Sequence, residues 1–390
     1  AGRVKGSRTG PLRPIGHSAG DAMTLPTLPQ LTLRAVRARP VEVPLTFVLG
    51  TSKQALRRAP LVLIDLETEE GVTGRAYLFG YLRASLPGIV AILREIEAQT
   101  RGEPVDPDAL GAKLARRFGL IGVQGIVRMA VAGFDTALWD ALAIAAGEPL
   151  ARFLGAEPRP IPAYNSCGLG LTNDLGALAA EAETLIGMGF SAVKLRLGYA
   201  TLNEDIAAVR AVRKRIGDEA LLMVDYNQAL GLDEALLRGG ALDGENIYWF
   251  EEPIRHDDYA GAAALARALN VPVQIGENFS LPFGMQAALD ANAADYVMPD
   301  LERIGGVSGW RQAAELAAAR KLPMSSHLFP EVSAHLLAAT PTCHFLEYVD
   351  WANVLLHEPL AVGDGHARIP QRPGNGMVWD EEAVVRHQIE

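Results

Sequence analysis

The sequence predicts an α/β barrel preceded by an α+β domain. Three observations carry that expectation: an antiparallel pattern after Leu31, eight short apolar runs separated by amphipathic helices after Pro162, and an ionisable residue closing one run after another. The antiparallel pattern comes first. LTLRAVRARPVEVPL, APLVLIDLET and GRAYLF alternate around a turn at Glu70 and Gly71, as strands with one buried face do. Next, SLPGIVAILREIEAQ, PDALGAKLARRFG and GIVRMAVAGFDTALWDALAIAAG place apolar residues three and four apart, and Gly147 with Pro149 stops the last helix. Residues 31–155 are therefore expected to form one α+β unit.

Between 156 and 358 the pattern changes. The runs AYNS, AVKLRL, LLMVDY, IYWFEE, VPVQIGE, ADYVMP, LPMSSH and HFLEYV alternate with helices such as LGALAAEAETLIGMG and GVSGWRQAAELAAARK. Strands that each lead into a helix make parallel βαβ units, and eight such units close into a barrel. The remainder, 359–390, opens with the turn-rich AVGDGHARIPQRPGNG and reads as a tail returning to the first domain. Residues 1–30 are rich in Gly, Pro, Ser and basic side chains and have no apolar centre of signal-peptide length. They read as a flexible extension, an expression scar ahead of a start at Met23.

Composition narrows the class of function. Of the 390 residues 49% are hydrophobic and 21% charged, and no apolar stretch reaches membrane-spanning length, so no membrane partner is expected. A net charge of −10 argues against nucleic acid, which calls for clustered Lys and Arg. The two cysteines, Cys167 and Cys343, lack a metal-type spacing and fit a reducing cytoplasm. A small-molecule substrate is the remaining expectation.

The ionisable residues say more. Lys194 and Arg196 end the second run, Asp225 the third, Glu251 and Glu252 the fourth and Glu277 the fifth; Asp300 follows the sixth, His327 the seventh, and Glu347 lies in the eighth. From Asp225 onward the steps are 26, 26, 23, 27 and 20 residues, about one βα unit each. In a parallel barrel all strand C-termini meet on one rim, where barrel active sites are built. A lone carboxylate at a strand end is ordinarily a helix N-cap or a surface charge. Successive strand ends that all carry ionisable groups need something bound among them, because buried charges repel and lose hydration. Asp225, Glu251 and Glu277 offer three hard oxygen ligands, which suit Mg²⁺, with Mn²⁺ as a substitute. Asp300, one unit before His327, is placed to orient its imidazole as a base. His335 and His344 lack such a placement and read as structural.

Two rival chemistries fit poorly. Ser325, Ser326 and His327 are adjacent, so neighbours point to opposite faces, and no G-x-S-x-G elbow is present. GLGL at 168–171 lacks the dinucleotide fingerprint, and Gly305 with Gly306 opens a helix without a Walker lysine.

The segments AVKLRLGY, MVDYNQ, WFEEP, VPVQIGEN, MPDLERIGGVSGW and MSSHLFPEVSAHLLAATPT closely resemble mandelate racemase and its relatives in the enolase superfamily, from Leu31 to the tail. The resemblance implies a modified (β/α)7β barrel and an α+β capping domain completed by the C-terminal tail. It implies that Asp225, Glu251 and Glu277 hold Mg²⁺, with Asn227 beside them. Lys194 is then the contact to the substrate carboxylate, His327 with Asp300 the general base, Glu347 an acid that hydrogen-bonds the developing enediolate, and Ser166 a further carboxylate contact. Glu347 would need a raised pKa to donate. The implied activity is removal of the α-proton of a 2-hydroxycarboxylate to give a metal-stabilised enediolate, as a racemase or epimerase. A homo-oligomer, dimer to octamer, is implied as well.

One position departs from the pattern. Mandelate racemase carries lysine at both ends of K-x-K, the second acting as base on the face opposite the histidine, whereas this chain reads Lys194-Leu195-Arg196. Guanidinium stays protonated and makes a poor base. An acid-sugar dehydratase using His327 as its single base is therefore the alternative, and a metal-binding barrel without turnover is an alternative of another class. Substrate choice is expected in the capping domain. Leu49, Leu56, Phe79 and Tyr81, with Leu328 and Val349, suggest an apolar pocket, while Lys53, Gln54, Arg57 and Arg58 would suit a polar substrate if they turned inward.

Overall fold

The computed structural model describes residues 28–389. The expected extension before Leu28 lies outside them. Strands β1 (Leu33–Gly50), β2 (Ala55–Thr68) and β3 (Thr73–Phe79) form an antiparallel sheet in the order β1-β2-β3. Helices α1 (Leu86–Thr100), α2 (Pro107–Arg117), α3 (Gly125–Ala145) and the short α4 (Leu150–Phe153) follow. The sheet buries Leu61, Leu63 and Leu66 on β2 with Leu78 on β3, and α3 buries residues on every side because it lies between that sheet and the barrel. Gly74 permits this approach: a Cβ there would collide with the carbonyl of Ala137.

The barrel strands are β4 (Ile161–Asn165), β5 (Ala192–Arg196), β6 (Leu221–Asp225), β7 (Phe250–Glu251), β8 (Val273–Ile275), β9 (Tyr296–Val297) and β10 (Leu346–Tyr348). Between them lie α5 (Leu175–Gly187), α6 (Leu202–Ile216), α7 (Leu232–Leu242), α8 (Tyr259–Ala268), α9 (Leu281–Asp290), α10 (Leu301–Ile304), α11 (Gly306–Arg320) and α12 (Pro330–Ala338). Neighbours β4 through β9 pair in parallel, and β10 returns to pair with β4. Starts are fixed locally: Asp174 caps α5, Asp258 caps α8, and Thr201 with Glu204 forms a capping box on α6.

The seventh expected run, LPMSSH, is not a regular strand. It closes the barrel through single parallel bridges, Met324 with Val297 and Cys343, and His327 with Asp300. Pro299 and Pro323 flank these pairings and have no N–H to give a ladder, which accounts for the gaps.

The tail does two things. A hairpin of β11 (Ala361–Gly363) and β12 (His366–Arg368) pairs antiparallel with β4, so this part extends the barrel sheet. Beyond it the chain reaches the capping domain: Asn375 donates its N–H to Asp140 at 2.6 Å, Trp379 donates to Asp65 at 2.8 Å, and α13 (Glu381–His387) packs on β1. Among the described residues no helix is long and apolar enough to cross a membrane.

Candidate active site and metal centre

Alternation along each strand builds the site. Tyr164, Ala192, Met223, Trp249 and Phe345 pack into a small apolar cluster inside the barrel. Each lies two positions before a polar residue of the same run, so Ser166, Lys194, Asp225, Glu251 and Glu347 share the inward face one layer further up. That floor is apolar, and what stands on it is buried: Lys194, Asp225 and Glu347 are each 1% exposed and Glu251 is fully enclosed.

Asp225, Glu251 and Glu277 each bring a carboxylate oxygen within 4.8 Å of the others. Neighbouring donors hold Asp225 and Glu251 in place. Asn227 donates its backbone N–H to one oxygen of Asp225 at 2.7 Å and its side-chain amide to the other at 3.0 Å. Trp249 and Gln274 donate to Glu251 Oε2 at 2.8 and 3.3 Å. Three convergent oxygen donors with no sulfur or imidazole among them fit a hard divalent cation such as Mg²⁺.

Lys194 Nζ lies 2.5 Å from Glu251, 2.7 Å from Glu347 and 3.6 Å from Asp225. Burial works against its charge, but the three carboxylates outweigh burial and hold it firmly protonated. One ammonium cannot neutralise three acids. Glu251 is accordingly pushed up, by burial first and then by Asp225 and Glu347, against the pull of Lys194. Burial and Glu277 also push up Glu252, which receives the amide of Asn278 at 2.9 Å.

His327 Nδ1 meets Asp300 Oδ2 at 2.6 Å, leaving Nε2 facing the carboxylates, 3.3 Å from Glu277 and 3.9 Å from Glu347. Burial lowers the imidazole pKa, but Glu277, Glu347 and Asp300 raise it more, to about 9. Asp300 is itself fixed, because its other oxygen caps α10 by accepting from the N–H groups of Glu302 and Arg303.

Glu347 differs from expectation. Burial pushes it up, yet Lys194, His327 and the Ser166 hydroxyl hold it below the ordinary carboxylate range. Ser166 donates to Oε1 at 2.6 Å and the N–H of Leu328 to Oε2 at 2.8 Å, so in this arrangement both oxygens accept. Arg196 sits beside them as a clamp. Its guanidinium donates to the carbonyls of Ser166, Gly168 and Lys194 and, at 2.8 Å, to the Ser166 hydroxyl.

The expected pocket residues divide. Tyr81 reaches the site through Arg303, whose guanidinium lies 4.6 Å over its ring and donates to the Glu277 carbonyl at 3.0 Å. Leu49 and Leu56 face each other across β1 and β2, and the tip beyond them rests on the barrel through Leu171 N–H to Gly50 O and Ser52 to Tyr226 O. Of the loop cations, Lys53 donates to the Gln228 carbonyl at the barrel rim, next to Asn227, and Arg58 pairs with Glu42. Sequence reasoning passed over Trp249, Gln274, Glu302 and Arg303. For Trp249 a signal existed, since it lies two residues before Glu251 in the same apolar run.

This geometry is that of a barrel whose rim joins three acids that could hold a metal ion to a histidine–carboxylate pair. The chain belongs to the enolase superfamily, in its mandelate racemase group. Residues 32–155 match the mandelate racemase / muconate lactonizing enzyme N-terminal domain, and residues 177–383 the enolase C-terminal domain-like family. L-talarate/galactarate dehydratase of Salmonella typhimurium is 34% identical over 86% of this chain and 84% of its own. A magnesium-bound enolase from the alphaproteobacterium BAL199 is 42% identical, with TM-score 0.90, covering 92% of this chain and 100% of that one. A Bradyrhizobium enolase complexed with magnesium and mandelic acid is 39% identical, with TM-score 0.89, covering 93% of this chain and 100% of its own.

Proposed function

We propose that the chain is a Mg²⁺-dependent acid-sugar dehydratase that takes the α-proton of a 2,3-dihydroxycarboxylate with a single base, His327. The observation that carries this reading is the pairing of a His327 Nε2 that faces the carboxylates, 3.3 Å from Glu277, with an Arg196 whose guanidinium is committed to carbonyls and Ser166. Asp225, Glu251 and Glu277 would hold the cation, which when bound supplies positive charge against the second negative charge that develops on the substrate carboxylate. Lys194 adds its ammonium to the same task, in a buried setting where it acts more strongly than in water.

The steps assigned to the protein are few. Asp300 keeps the Nδ1 proton in place; in the neutral imidazole, the form that a cation held by Glu277 would favour, Nε2 accepts the α-proton and the C–H electron pair passes into the enediolate. The resulting imidazolium returns that proton to the β-hydroxyl as the C–O bond breaks. Water leaves, and the enol tautomerises to a 2-keto-3-deoxy acid. The dehydratase relative at 34% identity supports this outcome.

A second reading, racemisation of a mandelate-like acid, is favoured by the apolar cap. The rings of Phe79 and Tyr81 lie tilted with centroids 4.3 Å apart and those of Phe79 and Trp351 4.7 Å apart, and Arg58 pairs with Glu42. That reaction needs a proton acceptor on both faces, and Arg196 is a poor one.

Incubation with Mg²⁺ in D₂O and a library of 2-hydroxy and 2,3-dihydroxy acids separates the readings. Dehydration predicts a 2-keto product and deuterium entering from one face only. Deuterium at Cα of both enantiomers of an aryl 2-hydroxy acid would replace it with the racemase reading, and no exchange with any acid would leave a metal-binding barrel without turnover.

A further inference from the structure

We infer that Glu302 is a positioning residue that sets the His327–Asp300 dyad by anchoring it to the capping domain. The path is short and buried. Phe79, at the end of β3, donates its backbone N–H to Glu302 Oε2 at 3.1 Å, and Glu302 donates its own N–H to Asp300 Oδ1 at 2.8 Å. Asp300 Oδ2 then meets His327 Nδ1 at 2.6 Å. Three hydrogen bonds therefore link the base to Phe79 at the end of β3, two residues before Tyr81.

A carboxylate at this place is unusual on physical grounds. Glu302 is 1% exposed, accepts one hydrogen bond from the cap, and leaves Oε1 without a partner among the described residues. An under-satisfied buried acid is destabilising, so a packed apolar side chain would serve stability better. What the acid provides is an acceptor at the reach of the Phe79 N–H. α10 is a single turn, Leu301–Ile304, without length to hold its own position. Its neighbour Arg303 grips Tyr81 and the Glu277 carbonyl from the same turn, so cap and dyad share one small element. Loss of the Glu302 contact lets α10 shift and swings Asp300 relative to His327.

The test has a readout that needs no substrate. The hydrogen-bonded Nδ1 proton of His327 should give a downfield proton resonance, assigned by its disappearance in His327→Asn. Glu302→Asp keeps the carboxyl group, which burial and Asp300 push well above the usual carboxylate range, but falls one methylene short of Phe79, whereas Glu302→Gln keeps an oxygen at that reach and removes the ionisable group. Glu302→Asp is expected to shift or broaden the resonance and Glu302→Gln to preserve it, with melting temperature showing that both fold. Alpha-proton exchange, which rests on the proposed dehydratase reading, should fall about 10–100-fold in Glu302→Asp at unchanged Mg²⁺ affinity and stay within about 3-fold in Glu302→Gln. A resonance intact in Glu302→Asp, or lost in Glu302→Gln but kept in Glu302→Asp, overturns the inference. If the unaltered protein exchanges no acid, the reaction proposed above fails while the resonance still decides this one.

Discussion

At the residue scale the site is governed by which groups must share a buried space. Glu347 is the clearest case. In isolation a carboxyl in a dry barrel should hold its proton, but Lys194, His327 and Ser166 surround it and keep it ionised. Its role depends on what Lys194 does, and Lys194 in turn lies against Glu251. His327→Asn is predicted to abolish α-proton exchange, with a fall in kcat of at least about 10³-fold, while Mg²⁺ affinity measured by calorimetry changes little. Lost metal binding would contradict the separation of base from ligands. Arg196→Lys should loosen the loop after Ser166, lowering turnover by about 10-fold or more, because ammonium is a point charge and cannot span the same carbonyls. Unchanged turnover would show that the clamp is dispensable.

Elements decide how rigidly these groups are presented. β6 and β7 end in metal-site carboxylates whose hydrogen-bond donors come from the same or adjoining strands, so the acids are preorganised. Metal affinity should therefore follow protonation more than rearrangement. Glu251 and Glu252 are pushed up by burial, so protons compete with Mg²⁺ for these acids at low pH. Calorimetric Mg²⁺ affinity is predicted to rise by at least about 10-fold from pH 6 to pH 9. A flat profile would remove the buried-acid description. Helix starts are simpler: Thr201→Ala breaks the capping box of α6 and should lower stability by about 1 kcal/mol in denaturant unfolding, without altering exchange.

Across the whole molecule, the capping domain, barrel and tail meet through buried polar groups. His335 on α12 accepts the Ala151 N–H at Nδ1 and lies 3.2 Å from the Asn375 carbonyl at Nε2, so it joins barrel, cap and tail. Burial lowers its pKa to about 4. A base depressed on folding contributes stability that is present above its unfolded value near 6.5 and lost as pH falls toward 4. The contribution at stake is on the order of 3 kcal/mol. Asp135, Asp140 and Glu331 work oppositely. Burial raises each to about 7, so their contribution is full below the unfolded carboxylate range and is lost as pH rises through 7. His335→Gln is consequently expected to show a flatter loss of stability between pH 6.5 and pH 4 than the unaltered protein when both are measured by urea titration, with less change above pH 7.

Much of this was legible in the sequence because period and spacing are local properties. Alternation in LTLRAVRARPVEVPL and the recurring βα length needed no coordinates, and they placed Asp225, Glu251, Glu277, Asp300, His327 and Glu347 on one rim. The motifs around them carried the family. The irregular seventh run was not legible, since LPMSSH is apolar enough for a strand and its neighbours' missing N–H groups matter only once they are adjacent. Nor were the ionised state of Glu347, the clamp made by Arg196, or the reach of Glu302 to Phe79. Each of these depends on distances between groups remote along the chain, and electrostatic and hydrogen-bond energies fall off over a few ångströms. Only the folded barrel brings those groups within that range.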